Sequence, residues 1–302
     1  MTKCFSLTET RNRCHRSKFT GSGLRSTTTD LKDGTIMHCW VPKTRTESKP
    51  SLLLIHGIGP NALWQWGNFI RNLTKFFNVY VPDLIFFGGS YTTRPERTEG
   101  FQAECVMRVM KEMKCVRSVS VVGLSYGGFV AYDLAVKYEE FVERVVVCGS
   151  GVSLEEKDIK EGLFLVSDLD EAAQILVPQT PQRLRELVEY TFSKASLVAW
   201  LPSCFLLDFI HAMCRDYVQE KRELIRALAK DRNFSDLPKI SQPTLIIWGE
   251  HDQLFPLELG HRLKRHLGDN AQIVVIKNTG HAFCAEKAKE FYSILKSFLV
   301  DS

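Results

Sequence analysis

Gly123-Leu124-Ser125-Tyr126-Gly127 sets one hydroxyl between glycines, where the apolar run "SVSVVGLS" meets the helical pattern "YGGFVAYDLAVKY". A G-x-S-x-G at the end of a strand and the start of a helix makes a sharp turn that lifts the serine above the sheet edge. The flanking glycines, with Gly128, let neighbouring backbone approach closely. The helix that follows points its N-terminus at the serine, which favours negative charge developing there. The competing reading is a tight strand–helix turn whose serine only caps the helix.

A serine alone is a poor nucleophile; it needs a base, and the base needs an orienting acid. Further along, "LIIWGEHDQLFP" ends a strand and offers Glu250 and Asp252, and "VVIKNTGHAF" ends the next and offers His281. Both lie at carboxyl ends of parallel strands, where sites in such sheets form. His281 is expected to take the Ser125 proton and later to activate water. Asp252 is expected to fix its tautomer, in preference to Glu250, because it lies further past the strand end. "LLLIHGIGPNALWQW" supplies a loop after an early strand, where the Ile58 N–H could pair with that of Tyr126 to hold an oxyanion. His56 in that loop is expected to be structural.

The elements needed to position these groups are legible. "DGTIMHCWVP", "SLLLIHG", "NVYVPDL", "SVSVVGLS", "VERVVVCGS", "PTLIIWGE" and "AQIVVIKNTG" read as strands, several of them apolar throughout, as in a strand buried on both faces. Helical patterns alternate with them, which implies a parallel sheet covered on both faces. Residues 31–151 and 236–302 form this α/β core. Residues 152–235 carry helical patterns without a convincing strand and read as an inserted cap. Residues 1–30 look separate: Lys3, Arg11, Arg13, Arg16, Lys18 and Arg25 face only Glu9 and Asp30. This basic lead could be a transit peptide or an arm on a membrane surface. The preferred reading is that it packs along the domain edge, burying Phe5, Leu7, Phe19 and Leu24.

Composition excludes several classes. The chain has 302 residues, 44% hydrophobic and 25% charged, with net charge +4, an ordinary balance for a soluble globular protein. No Lys/Arg-rich run with interleaved aromatics appears, so nucleic acid is not an expected partner. Nine cysteines without any C-x-x-C argue against a disulfide framework or a zinc site and favour a reducing, cytoplasmic setting. His211 and Cys214 share a helical face, but two ligands do not make a metal site. The opening "MTKCFSLTET" lacks the apolar core of a secretory signal. Leu197 to Cys214, the longest apolar stretch, is interrupted by Pro202, Asp208 and His211, too often to span a bilayer.

Together HGIG, DLIFFGGS, GLSYGG, PTLIIWGEHD and NTGH resemble the α/β-hydrolase superfamily over residues 31 to 302, and most of all plant members of its capped, monoacylglycerol lipase-like or meta-cleavage-product-hydrolase-like group. The resemblance implies a mostly parallel eight-stranded sheet with helices on both faces and a helical cap after the sixth strand. It implies Ser125 as nucleophile, Asp252 as acid and His281 as base, and cleavage of an ester or related carbonyl substrate without cofactor or metal. Three departures matter. Carbon–carbon hydrolases of this type usually carry Asn before the serine and Trp after the histidine, where this chain has Leu124 and Ala282. Epoxide hydrolases and haloalkane dehalogenases use Asp as nucleophile, which Ser125 argues against. In the D-x-x-G-x-G-x-S loop, Phe86 replaces the first glycine.

Phe86 and Phe87 are therefore expected to line the pocket or anchor that loop. Phe164, Trp200 and Phe205 in the apolar cap could line a lipophilic pocket, or bury the cap against the core. The leading expectation is a serine esterase acting on a lipophilic or acyl ester, taken from or near a membrane that the basic lead touches. The alternatives are a hydrolase-fold ligand receptor, a carbon–carbon hydrolase, or a biosynthetic enzyme using the same triad; fold alone does not separate them.

Overall fold

The computed structural model describes residues 6–113, 118–162, 164, 166–194, 200–228, 230 and 232–301. Its strands are β1 (Leu24–Asp30), β2 (Thr35–Pro42), β3 (Ser51–Ile55), β4 (Asn78–Pro82), β5 (Tyr91–Thr92), β6 (Val119–Leu124), β7 (Val142–Cys148), β8 (Thr244–Gly249) and β9 (Ala271–Ile276). Eight of them lie in the order β1-β2-β4-β3-β6-β7-β8-β9, and the two-residue β5 pairs with β2. From β4 to β9 every neighbouring pair is parallel, while β1, β2 and β4 pair antiparallel. Every residue of β3, β4, β6 and β8 is buried. The period-2 alternation sends Leu53, Ile55, Val121 and Val145 into one hydrophobic layer and Leu52, Leu54, Val122 and Val146 into the other.

Helices cover both layers. The chain runs through α1 (Leu7–Gly21), α2 (Ala62–Trp66), α3 (Ile70–Leu73), α4 (Glu99–Glu112) and α5 (Tyr126–Lys137) before the end of β7. Among the described residues five α-helices follow between β7 and β8: α6 (Glu156–Lys160), α7 (Leu169–Leu176), α8 (Pro181–Thr191), α9 (Ser203–Met213) and α10 (Val218–Ala227). No strand interrupts them among the described residues. The chain closes with α11 (Leu257–Leu267), α12 (Phe283–Glu286) and α13 (Ala288–Leu299). Residues of α4, α5 and α11 fill one layer, and residues of α1, α2, α3 and α13 the other.

Residues 24–30 belong to the core sheet, so the sheet begins before the boundary expected at residue 31. Leu24–Asp30 is a strand paired with β2 along its whole length, from Leu24 opposite Pro42 to Asp30 opposite Ile36. In this edge strand only Leu24 is fully buried, so "LRSTTTD" carries no apolar alternation from which a strand could be read. Of the apolar residues expected to be buried, Phe19 and Leu24 are, Leu7 is 49% exposed, and Phe5 lies outside the described residues.

Helix α1 buries Thr8, Asn12, His15 and Phe19, spaced four, three and four residues apart. Asn12 Oδ1 accepts a 2.6 Å hydrogen bond from Trp64 Nε1 of α2, and the Thr8 N–H donates to Asp208 of α9 at 2.9 Å. The helix thus ties the core to the inserted helices. Burial lowers the His15 imidazole from 6.5 to about 4, with Lys18 and Arg11 adding to the effect. The unfolded chain takes up this proton near pH 6.5 and the folded chain only near pH 4. Stability therefore falls as pH drops through that window, by up to about 3 kcal/mol. The expected result is that a His15→Leu variant gains on the wild type in urea midpoint as pH falls from 7 to 4. A difference independent of pH would refute it.

Candidate active site

The β6–α5 junction holds Ser125 at φ 54° and ψ −121°, a left-handed conformation that a residue with a Cβ adopts only when its surroundings enforce it. Those surroundings are backbone. The Ser125 N–H donates to the Cys148 carbonyl at the end of β7 (2.8 Å), and the Ser125 carbonyl accepts from the Gly128 N–H (2.8 Å). The side chain of Ser125 caps nothing in α5, so the helix-cap reading of this serine fails.

The loops after β8 and β9 bring the other two groups together. Asp252 Oδ2 meets His281 Nδ1 at 2.8 Å, with the carboxyl fully buried and the imidazole 10% exposed. A carboxylate only accepts, so the proton of that bond sits on Nδ1 and leaves Nε2 free to accept another. Asp252 Oδ1 accepts from the backbone N–H groups of Leu254 (2.9 Å) and Phe255 (3.0 Å), which fix its rotamer. Glu250, the other candidate, instead accepts from the Asn278 N–H (2.7 Å) and is partly exposed. The end of β7 joins the pair to Ser125: Gly149, next to the carbonyl that holds the Ser125 N–H, packs against His281 and Asp252. A Cβ there would lie 3.4 Å from Asp252 Oδ2 and 3.5 Å from His281 Cε1.

The β3–α2 loop borders Ser125 on the other side. A Cβ on Gly57 would sit 2.8 Å from the Leu124 carbonyl oxygen and 2.8 Å from the Ser125 Cβ, so only glycine allows this approach. The Gly57 N–H donates to Gln65 Oε1 (2.9 Å), and Gln65 Nε2 donates to the Pro60 carbonyl (3.3 Å), clamping the turn that presents Ile58. His56 is wholly buried; its Nε2 accepts from the Leu84 N–H (2.9 Å) and its Nδ1 donates to the Gly57 carbonyl (2.8 Å). Burial lowers its basicity, so it remains neutral and structural, as its position in the loop suggested. Tyr126 begins α5, where its N–H is free of intrahelical bonding, and its ring is buried.

The aromatic residues divide. Phe164 is buried against Phe255 (5.3 Å between rings), and Phe255 packs on His281 (5.9 Å). Phe87 packs on His56 (5.1 Å) and lines a cavity of about 10 Å³ with Ile58, Gly59, Leu176, Val177 and Lys221. Phe86 takes φ 74°, with its ring against Tyr217 (5.6 Å) and under the Arg97 guanidinium (4.7 Å). It joins its loop to the inserted helices. Trp200 and Phe205 do not line the site; they are 81% and 40% exposed. Helix α9 turns Leu206, Ile210 and Met213 inward, and Phe205 falls off that stripe. A larger open hollow of about 710 Å³ is lined by polar residues of α7, α8 and α10, Arg183, Glu186 and Arg222 among them, and by none of the groups above.

Several supporting residues carry no sequence signal. Gln65 is one. Glu286 is another: its carboxylate accepts from the N–H groups of Gly280 (2.7 Å) and Ser193 (3.1 Å), joining the His281 loop to the segment after α8. Lys221 is a third, a buried lysine whose Nζ lies 3.5 Å from the Met213 carbonyl and 5.0 Å from the Phe87 ring centre. Burial lowers its basicity. No group of three metal-ligating side chains occurs among the described residues, and no helix there is long and apolar enough to cross a membrane.

Comparison with known proteins supports the same architecture. A 2-hydroxy-6-oxononadienedioate/2-hydroxy-6-oxononatrienedioate hydrolase of Pseudomonas sp is 27% identical over 82% of this chain and 87% of its own length. The monoacylglycerol lipase ABHD6 of Bos taurus is 24% identical over 86% of this chain and 78% of its own. A putative lipase from Acinetobacter baumannii superposes with TM-score 0.76 at 22% identity, over 96% of this chain and 95% of that one. Residues 52–294 match the model of the alpha/beta hydrolase family, and the chain, with its mostly parallel sheet and flanking helices, belongs to that family.

Proposed function

We propose that the protein is a serine hydrolase that cleaves a carboxylic ester, with a lipophilic acyl group, through an acyl-enzyme. One observation carries the reading: a strained Ser125 at the head of α5 shares the end of β7 with a His281 whose Nδ1 is held by Asp252. In this reading His281 Nε2 takes the Ser125 proton as Oγ attacks the ester carbonyl. Asp252 stabilises the imidazolium that results. The backbone N–H groups of Ile58 and Tyr126 hold the oxyanion, aided by the N-terminal end of α5. Collapse of the intermediate expels the alcohol, with the proton returned from His281. Water activated by His281 then releases the acid.

Helices α6–α10 act as the cap. Phe164 and Phe87 are the substrate-facing aromatics, supported by the Phe164–Phe255–His281 stack and by the nearness of Phe87 to Ile58.

A second reading, carbon–carbon hydrolysis of an anionic substrate, draws on the dioate named for the Pseudomonas relative and on Lys221 beside Ile58 and Gly59. Among the described residues Lys221 Nζ meets a carbonyl and a ring but no carboxylate, and a buried ammonium without a counter-charge is costly; a substrate anion would supply one. Leu124 and Ala282 weigh against this reading.

The test is fluorophosphonate labelling with peptide mapping, followed by turnover of nitrophenyl esters from acetate to decanoate. Stoichiometric labelling at Ser125 and a profile that rises with chain length are the expected results. Folded protein that takes no label would overturn the proposal. Labelling without ester turnover, but with cleavage of a vinylogous diketone acid, would favour the second reading.

A further inference from the structure

We propose that α1 and the N-terminal end of α9 form a docking face for an anionic lipid bilayer. The apolar part of this face is Leu7, Trp200, Leu201 and Phe205, all at least 37% exposed. Trp200 is 81% exposed, whereas Trp40, Trp66 and Trp248 are at most 3% exposed. At the headgroup level of a bilayer the amphipathic Trp200 ring is favoured.

The hydrogen bond from the Thr8 N–H to Asp208 joins the two halves of the face. Leu7 precedes Thr8, and Phe205 lies one helical turn before Asp208, so both flank that bond. The inward stripe of α9 is already used by Leu206, Ile210 and Met213 and leaves Phe205 and Leu201 to the surface.

Charge selects the partner. Helix α1 exposes Arg11 and Lys18, four and eleven residues after Leu7 and so on the same side of the helix, while its one carboxylate, Glu9, pairs with Arg13. Basic residues are drawn to anionic headgroups, and this attraction adds to that of the apolar insertion. Neither part would hold the protein on a membrane alone, since stable peripheral binding takes two signals. An acidic protein partner would match the charge, but it would need a pocket to receive Trp200, whereas a bilayer receives it without one. The face belongs to the inserted helices as well as to α1, so docking would set them against the phase that holds lipophilic esters. The inference does not depend on the proposed reaction, because binding is read without turnover.

The experiment uses the full chain with vesicles of phosphatidylcholine alone or mixed with phosphatidylserine, read by co-sedimentation and tryptophan emission. The expected result is binding at least about tenfold tighter to the anionic vesicles, a blue shift in emission, and release by salt. Trp200→Ser with Phe205→Ser should weaken binding about tenfold and remove the blue shift. Arg11→Gln with Lys18→Gln should weaken it similarly while keeping part of the shift. All four side chains are exposed, so the melting temperature checks that each variant is folded. Equal binding to both vesicle types, or anionic binding with unchanged emission, would overturn the proposal. So would an absence of vesicle binding combined with concentration-dependent dimers that the double serine variant abolishes, which would assign the face to a second copy of the chain.

Discussion

Asp252→Asn is expected to lower kcat for ester turnover by about 10⁴-fold while the protein stays folded. The asparagine carbonyl can keep the two hydrogen bonds from the Leu254 and Phe255 N–H groups, so the β8 loop retains its shape. The change falls on the other oxygen. Where Asp252 Oδ2 accepts from His281 Nδ1, the amide would present a donor. The imidazole would then expose its nitrogen lone pair to the amide and place its proton on Nε2, towards Ser125, where it is useless for deprotonation. Ser125→Ala is expected to cost about 10⁶-fold, and the double variant no more than Ser125→Ala alone, because the groups act as one unit. The measurement is steady-state turnover of the best nitrophenyl ester, with circular dichroism as the folding check. If Asp252→Asn loses less than about tenfold, the roles proposed for the Asp252–His281 pair are wrong, however well placed the two residues are.

The parts legible in the sequence are those fixed by local rules. Strand β6 is buried throughout and, Ser120 apart, carries no polar side chain, and Gly123 and Gly127 then mark a sharp turn around Ser125. The choice of Asp252 over Glu250 also rested on a local fact, distance past the strand end. The structure places only Asp252 against His281.

What the sequence could not carry are contacts between distant segments. Gln65 is an ordinary polar residue on a short helix until the fold sets its amide against Gly57 and Pro60. Glu286 becomes a clamp only when Gly280 and Ser193 meet over it. Phe205 shows the converse. Apolarity suggests a pocket, but which side of α9 faces inward is set by packing against the rest of the chain, and Leu206, Ile210 and Met213 take that side. In edge strand β1 one buried residue in seven leaves no period to read.

Gly123→Ala is expected to abolish folding, although it adds only one methyl group to a buried strand. Its Cβ would stand 2.2 Å from the Gly127 carbonyl oxygen, 2.6 Å from the Gly127 carbonyl carbon and 2.7 Å from the Gly128 Cα. All three are backbone atoms of the first turn of α5, so no rotamer change can relieve the clash. Strand β6 cannot retreat, because β3 and β7 flank it in parallel register over most of its length. Nor can α5 lift away. Gly127 is itself pressed on the β3 end, where a Cβ would meet the Ile55 and His56 carbonyl oxygens at 2.5 Å. The strain must therefore appear either in the sheet or in Ser125, whose φ of 54° already draws on the turn's stability. Overpacking in an ordinary core costs about 1–3 kcal/mol. Here backbone meets backbone, and a loss of more than about 4–5 kcal/mol is expected, a large part of a domain's net stability. Gly59 offers a control: it has nothing within 4 Å of its Cβ position, so Gly59→Ala meets only the backbone cost of φ 118°. Soluble yield and thermal melting of the two variants, expressed side by side, give the result. If Gly123→Ala folds and melts near the wild type, the strand and helix are not wedged together, and the strain at Ser125 has some other source.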